Sequence, residues 1–440
     1  MVDEKHTGLD LKTPVNESLT AFYQRSFAYH TVKFRLPAIL SQIVEILMKK
    51  KDNILRTYGE DAEEEFKCVI AEIGKIKVEI QNNKPMRTLI GDAPDIKLYN
   101  KALVLQSVKV SFPTYFNANW LFIECYMYRR IMEAIDQTKI LKSMDPYQFQ
   151  KEDSFYRSLQ LMATVAGILQ SILASAADRK ETDFVRLLKM NLWGNNCDLS
   201  FNVGRVNYDA ESVIDVENLD SYILCDDSAS VWDALTEDTE SCIVDIVLDN
   251  TGFELFIDMC LADFIIKNKY ADHVRFYVKT TPWYISDATA RDFAFFIHQL
   301  KVSKNSVLKK VSERWSNYMR IKAWTVEEEG FWTLPFTYKD MAKWDLPLYR
   351  KLSAAKLIIF KGDVNYRKLF GERNWPPTKS VDAALQGFHP SKICSVRIIK
   401  AHIICGLAEG VAEDIEEKDS DWLITGKYGV IQFCDTVVKL

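Results

Sequence analysis

Residues 243–266, IVDIVLDNTGFELFIDMCLADFII, decide the fold class. Ile243–Leu248 is a short run rich in β-branched residues, and Asp249-Asn250-Thr251-Gly252 is turn chemistry. Phe253, Phe256, Met259 and Phe264 then follow helical spacing. Strand, tight turn and helix in that order open a parallel crossover unit. Working outward, Val274–Val278 predicts a second strand, with a helix over Asp292–Leu300 beyond it. Lys356–Phe360 predicts a third strand and Cys394–Ile399 a fourth. The expected class is α/β, a three-layer α/β/α domain with a largely parallel central sheet.

The chain before this region has a different period. Pro37 is expected to open a helix carrying Ile39, Leu40, Ile43, Val44, Leu47 and Met48. Phe66, Val69, Ile70, Ile73, Ile76 and Ile80 repeat the pattern, with a stop expected before Asn82-Asn83-Lys84-Pro85. Further helices are predicted from about Ala118 and from near Asp153. The reading is a helical N-terminal domain, residues 1–190, capping an α/β domain, residues 191–440, with the functional cleft between them.

Composition excludes several roles. Fifty-six basic and 61 acidic residues give a net charge of −5, without the basic stripe that nucleic-acid binding requires. The nine cysteines stand at least eleven residues apart, so there is no CxxC zinc or redox pair. An odd count in apolar surroundings suits a reducing compartment. The start of the chain has no apolar signal core, and no apolar stretch reaches the length of a membrane span. The expected location is cytoplasmic or nuclear. HExxH, GxSxG, P-loop and GxGxxG patterns are all absent, and the six histidines read as surface or core-edge residues.

In open α/β sheets the ligand lies outside the carboxyl ends of the strands. Asp249 and Asn250 follow the first predicted strand, and Asp287 lies in the loop after the second. Lys361-Gly362-Asp363 follows the third, with Asn365 and Arg367 downstream, and Lys400 ends the fourth. Each motif alone reads equally as a turn or a helix cap. Their coincidence at four strand ends carries the argument. Oxygen donors from Asp and Asn suit a hard or borderline divalent ion such as Mg²⁺ or Mn²⁺. Lysine and arginine would neutralise phosphate oxygens, and a helix N-terminus entered through Gly252 adds positive potential.

LDNTGFEL (248–255), TPWYISDAT (281–289), FKGDVNYRKL (360–369) and Lys400 resemble the damage-control phosphatases, in the subgroup containing the acidic-residue (protein-glutamate) methyltransferase homologue. LWGNNCDLS (192–200) and WLFIECYMYRRI (120–131) extend the resemblance over nearly the whole chain. It implies that Asp249, Asn250 and Asp287 bind a divalent metal, with Mn²⁺, Ni²⁺ or Co²⁺ favoured. It also implies that Asp249, Asn250, Glu254, Asp363, Val364, Asn365, Tyr366, Arg367 and Lys400 contact a small phosphorylated metabolite such as fructose 1-phosphate or fructose 6-phosphate. Asp249, Asp363 and Lys400 are the expected catalytic residues. The subgroup's Arg-Thr-x-Lys signature reads Arg397-Ile398-Ile399-Lys400 here, so one hydroxyl is lost. Two other activities are carried forward. One is S-adenosylmethionine-dependent methylation of protein glutamates, which needs no divalent ion. The other is a scaffold with a decayed site, motivated by Ile398.

Overall fold

The computed structural model describes residues 8–197 and 216–438; His6 and the last three residues of LWGNNCDLS fall outside them. The strands are β1 (Ile223–Asp226), β2 (Ile243–Val247), β3 (His273–Val278), β4 (Trp324–Glu328), β5 (Leu357–Lys361), β6 (Lys392–Ile398) and β7 (Gly429–Cys434). They form one sheet in the order β1-β7-β6-β5-β2-β3-β4. β6, β5, β2, β3 and β4 are mutually parallel, and β7 runs antiparallel to β6. The α/β class with a mostly parallel sheet is as expected. β1, β4 and β7, which lack a clean apolar run, complete it.

Chain order explains where a ligand can enter. From β2 the chain steps outward to β3 and β4, then returns to lay β5 on the other side of β2 and continues to β6. The helix after β2, Phe253–Lys267, therefore packs on one face of the sheet, and the helix after β5, Gly362–Leu369, on the other. Between them, at the carboxyl ends of β2 and β5, the direction of winding reverses and a crevice opens.

Strand alternation sorts the core. Val244, Ile246, Phe276, Ile359, Val396 and Ile398 face helices Gln148–Leu173, Lys180–Trp193 and Phe253–Lys267. Val247, Tyr277, Ile358 and Phe360 face the opposite way, into a core shared with helices Leu36–Lys49, Glu63–Gln81 and Trp120–Asp136. Asp245 breaks the apolar run of β2, yet it is fully buried. Arg275 stands opposite it on β3 and donates from Nε at 2.6 Å and Nη2 at 2.7 Å. Burial pushes Asp245 up to about 6 against the opposing pull of Arg275.

The first helix differs from expectation. It begins at Phe27, where the Ser26 hydroxyl accepts from the amide of Tyr29, and Pro37 lies inside it. Proline has no amide to donate to a carbonyl four residues back. The chain absorbs this with a π-turn over Thr31–Arg35, in which the Leu36 amide bonds the Thr31 carbonyl. Among the described residues no helix is long and apolar enough to cross a membrane.

Candidate active site

The crevice at the β2/β5 reversal is lined by Asp249, Asn250, Asp287, Asp363, Val364, Arg367 and Lys400 on the sheet side. Residues predicted from four separate strand ends thus meet in one cleft.

The turn after β2 is tied to the loop after β3. The Ala288 amide donates to the Asp249 carbonyl at 2.8 Å, the Thr251 amide to Ser286 at 2.7 Å, and Asn250 and Asp287 form an isolated antiparallel bridge. Tyr284 and Ile285, just before this bridge, both hold positive φ, at 41° and 69°. Non-glycine residues adopt that region at a cost, and a β-branched isoleucine rarely does. The packed rings of Trp283, Tyr284 and Tyr128 hold the bend and so fix Asp287 beside Asn250. Two residues beyond Asp287, Thr289 and Asp292 form a capping box that starts the next helix.

Hydrogen bonds orient each donor. Nδ2 of Asn250 donates to Asp249 Oδ2 at 3.0 Å and Glu254 Oε2 at 2.8 Å, while Ser286 Oγ donates to Asn250 Oδ1 at 2.5 Å. Asn195, at the end of the Lys180–Trp193 helix, repeats the clamp: its Nδ2 donates to the same two carboxylates at 2.9 and 2.8 Å. Its backbone carbonyl and Oδ1 accept from Lys400 Nζ at 2.8 and 2.9 Å. One carboxamide therefore couples Lys400, just beyond β6, to the carboxylate of Asp249, just beyond β2. Lys279 Nζ lies 3.2 Å from Asp287 and also donates to the Leu248 carbonyl.

Behind the cleft, fully buried Lys361 lies 3.4 Å from Glu254 and 3.3 Å from Asp258. Burial, with the nearby Glu254 charge adding to it, pushes Asp258 up to about 6. Glu254 is fully buried and not on the cleft surface. Asn365 and Tyr366 are likewise turned inward. Asn365 donates to the Lys361 carbonyl at 2.7 Å, and the Tyr366 hydroxyl accepts from the Cys405 amide at 3.3 Å.

Arg367 reaches the cleft wall and is ion-paired there. It pairs with Glu124 at 2.5 Å and with Glu372, and it stacks on Trp120 at 3.9 Å. Burial pushes Glu372 up to about 7 even beside the guanidinium. Arg397 lies on the Tyr366 face and donates from Nε to Asp363 at 2.8 Å. Ile398 lies in the apolar core on the other face and lines no part of the cleft. Ile398→Thr is therefore expected to lower stability by about 1–3 kcal/mol, the cost of burying an unpaired hydroxyl, with no gain in turnover. Denaturant melts and turnover on the same preparation check this; a gain in turnover would place residue 398 in the site.

Glycines close the arrangement. Gly252 (φ 73°) and Gly362 (φ 84°) lead into two helices whose N-termini have no side-chain cap. A Cβ on Gly362 would stand 1.8 Å from Asp249 Oδ2, so only glycine lets the turn after β5 lie against that carboxylate. Two buried carboxylates and a carboxamide oxygen, with no thiol or imidazole among them, are a donor set that suits a hard or borderline divalent cation.

The opposite wall comes from helices. Phe27, Thr31, Arg35 and Ile39 line it with Trp120, Glu124, Tyr128 and Tyr284. In an α-helix, residues four apart drift about 40° per step. The π-turn at Thr31–Arg35 sets that drift back, so this column keeps facing the cleft. His402 Nδ1 accepts from the Phe27 amide at 3.2 Å and ties the column to the loop after Lys400.

Of these residues, Asn195, Lys279, Arg397 and the Phe27–Ile39 column were not foreseen. Lys279 directly follows β3, and Asp249 lies two residues past β2, so the strand-end rule applied to the first residue after β3 would have found it. Asn195 lies in the quoted LWGNNCDLS string, where Trp193 reads as a packing residue; Trp193 is indeed buried in the core.

Residues 31–415 match the damage-control phosphatase ARMT1-like domain. The chain is similar to the damage-control phosphatase ARMT1 of Danio rerio, 38% identical over 432 residues, which is 95% of this chain and 96% of that protein. Similarity to the damage-control phosphatase ARMT1 of Homo sapiens is 37% over 423 residues, or 93% and 96% of the two chains.

Proposed function

Because the chain belongs to the damage-control phosphatase family with an ARMT1-like domain, we propose that it is a metal-dependent phosphoric monoester hydrolase. Its proposed substrates are sugar phosphates such as fructose 1-phosphate and fructose 6-phosphate. The supporting observation is the convergence, where the sheet reverses its winding, of three oxygen donors, a lysine and two uncapped helix N-termini.

Asp249, Asn250 and Asp287 would hold Mn²⁺, Ni²⁺, Co²⁺ or Mg²⁺. When bound, such an ion supplies Lewis acidity toward the phosphoryl group. The chain does the rest. Lys400 and the first-turn amides of Gly362–Leu369 receive the phosphate oxygens. Asp363, oriented by Arg397, accepts the proton of the attacking water. Asn195 and Glu254 keep Asp249 and Asn250 aligned. Arg367, ion-paired with Glu124 and Glu372 at the cleft wall, adds positive field toward the phosphate.

The helical wall receives the sugar. Aromatic faces of Trp120, Tyr128 and Tyr284 cover C–H surface, and Glu124 accepts from hydroxyls. The Thr31 hydroxyl is buried, and among the described residues no group pairs with it. Thr31→Val keeps the shape and removes one hydrogen bond. It is expected to raise KM for a sugar phosphate about tenfold, the scale of 1–1.5 kcal/mol. Hydrolysis of an aryl phosphate should be unchanged. Equal effects on both substrates would refute a sugar-contacting role for Thr31.

The direct test of function is phosphate release from a panel of sugar phosphates with Mn²⁺, Co²⁺, Ni²⁺, Mg²⁺ or EDTA. EDTA should abolish release and added metal restore it. Turnover that resists EDTA would overturn the metal-dependent reading.

A further inference from the structure

A second cluster of ligand-type side chains lies at the other end of the sheet. Asp382 comes from the short helix Val381–Ala384, His389 from the turn before β6, and Cys434 from the end of β7. Cys434 pairs across the sheet with Ile393 at the start of β6. The cluster is thus one strand length, roughly 20 Å, from the cleft at the end of β6.

The three side chains face one another, His389 turning Nδ1 toward Cys434 and Nε2 toward Asp382. Cys434 Sγ lies 3.8 Å from Asp382 Oδ1 and 3.9 Å from His389 Nδ1, and His389 Nε2 lies 3.7 Å from Asp382 Oδ1. One ligand atom from each residue falls within 4.8 Å of the other two. Donors 2.0–2.3 Å from a tetrahedral zinc stand about 3.3–3.8 Å from one another. Cys434 and His389 are buried and fixed, whereas the Asp382 side chain is 57% exposed and can rotate the remaining distance.

We propose that Asp382, His389 and Cys434 form a zinc-type site, separate from the cleft and different in chemistry. Thiolate and imidazole select Zn²⁺ or Co²⁺ over Mg²⁺ or Mn²⁺, whereas the cleft offers only oxygen. Binding releases the Cys434 proton and forms the metal–sulfur bond, with no redox change. The fourth position is taken by water. The site clips the end of the chain to the sheet. The Val438 amide already donates to the His389 carbonyl at 2.8 Å, and the Tyr349 hydroxyl reaches the Val438 carbonyl at 3.4 Å. The metal adds the covalent part of that closure.

Cobalt titration of the full-length protein tests this, because a thiolate ligand gives a near-ultraviolet sulfur-to-cobalt charge-transfer band that oxygen ligands do not. The expected result is a one-equivalent band that Zn²⁺ bleaches and Mn²⁺ leaves. It should persist in Asp249→Ala, vanish in Cys434→Ser, and weaken at least tenfold in affinity in His389→Gln. Zn²⁺ should raise the thermal midpoint of Asp249→Ala, whose cleft donor is removed, and leave that of the Asp249→Ala, Cys434→Ser double variant unchanged. Absence of the band in folded wild-type protein, or its survival in Cys434→Ser, would overturn the proposal.

Discussion

Alanine at Gly362 is expected to lower phosphate release by on the order of 10²–10³-fold while the chain stays folded, the scale of displacing a reacting group by an ångström or more. Two effects act together. At φ 84° an L side chain costs about 1–2 kcal/mol. The added Cβ would also stand 1.8 Å from Oδ2 and 2.3 Å from Cγ of Asp249. No rotation of alanine relieves that contact, so Asp249 must move and lose its bonds to Asn195 and Asn250. Gly387→Ala separates the two effects: φ is 91° there, but nothing lies within 4 Å of the new carbon. Both variants should lose stability by denaturant melt, Gly362→Ala more than Gly387→Ala. Only Gly362→Ala should lose Mn²⁺ affinity by calorimetry and turnover by phosphate release. Full turnover and unchanged metal affinity in Gly362→Ala would remove Asp249 from the reaction centre.

Aspartate at Asn250 changes one atom of the side chain, yet a large effect is expected. In the native arrangement Nδ2 donates to the carboxylates of Asp249 and Glu254 at 3.0 and 2.8 Å. A carboxylate oxygen there would face both at the same distances. At an effective dielectric near 20, each contact costs about 5 kcal/mol before relaxation or proton uptake. The variant should therefore melt well below wild type in EDTA and recover more of its midpoint than wild type when Mn²⁺ is added. At neutral pH its turnover should fall by on the order of 10²-fold, because the alignment of Asp249 depends on the amide. Scanning fluorimetry with and without Mn²⁺, alongside kinetics, measures both. A midpoint in EDTA equal to wild type would show that the Asn250 amide does not hold these carboxylates.

Much of the cleft was legible because strand ends are local features. A β-branched run followed by Asp-Asn-Thr-Gly marks its own carboxyl end, and four such ends listed Asp249, Asp287, Asp363 and Lys400. What those side chains touch was not legible, because partners arrive from distant segments. Asn195 comes from a helix end, Glu124 from a helix buried on every side, and Arg397 from the alternate face of β6, where the Gly362–Leu369 helix happens to lie. Arg367 shows the consequence: the motif signals a cation at the cleft, and only the packing shows it already paired. β1, β4 and β7 escaped for a different reason. As partly polar or flanking strands they lack the continuous apolar run that marks a strand buried on both faces. The π-turn had no signature beyond Pro37, which usually marks a helix start rather than a position eleven residues inside one.

The sheet order also dictates how the site comes into being. β2 and β5 are neighbours in space, but roughly a hundred residues separate them in the chain, and such non-local pairings form late and slowly. A fragment ending before β5 carries Asp249, Asn250 and Asp287 but lacks Asp363, Arg367 and Lys400, which all come after the return crossing. A nascent chain therefore lacks a complete reaction centre until β5 and β6 have been made. Ligand binding, conversely, ties together segments that cannot separate without dismantling the central sheet. Amide hydrogen exchange at β2, β5 and the Trp120–Asp136 helix should then slow together when metal and substrate are bound, as one cooperative unit.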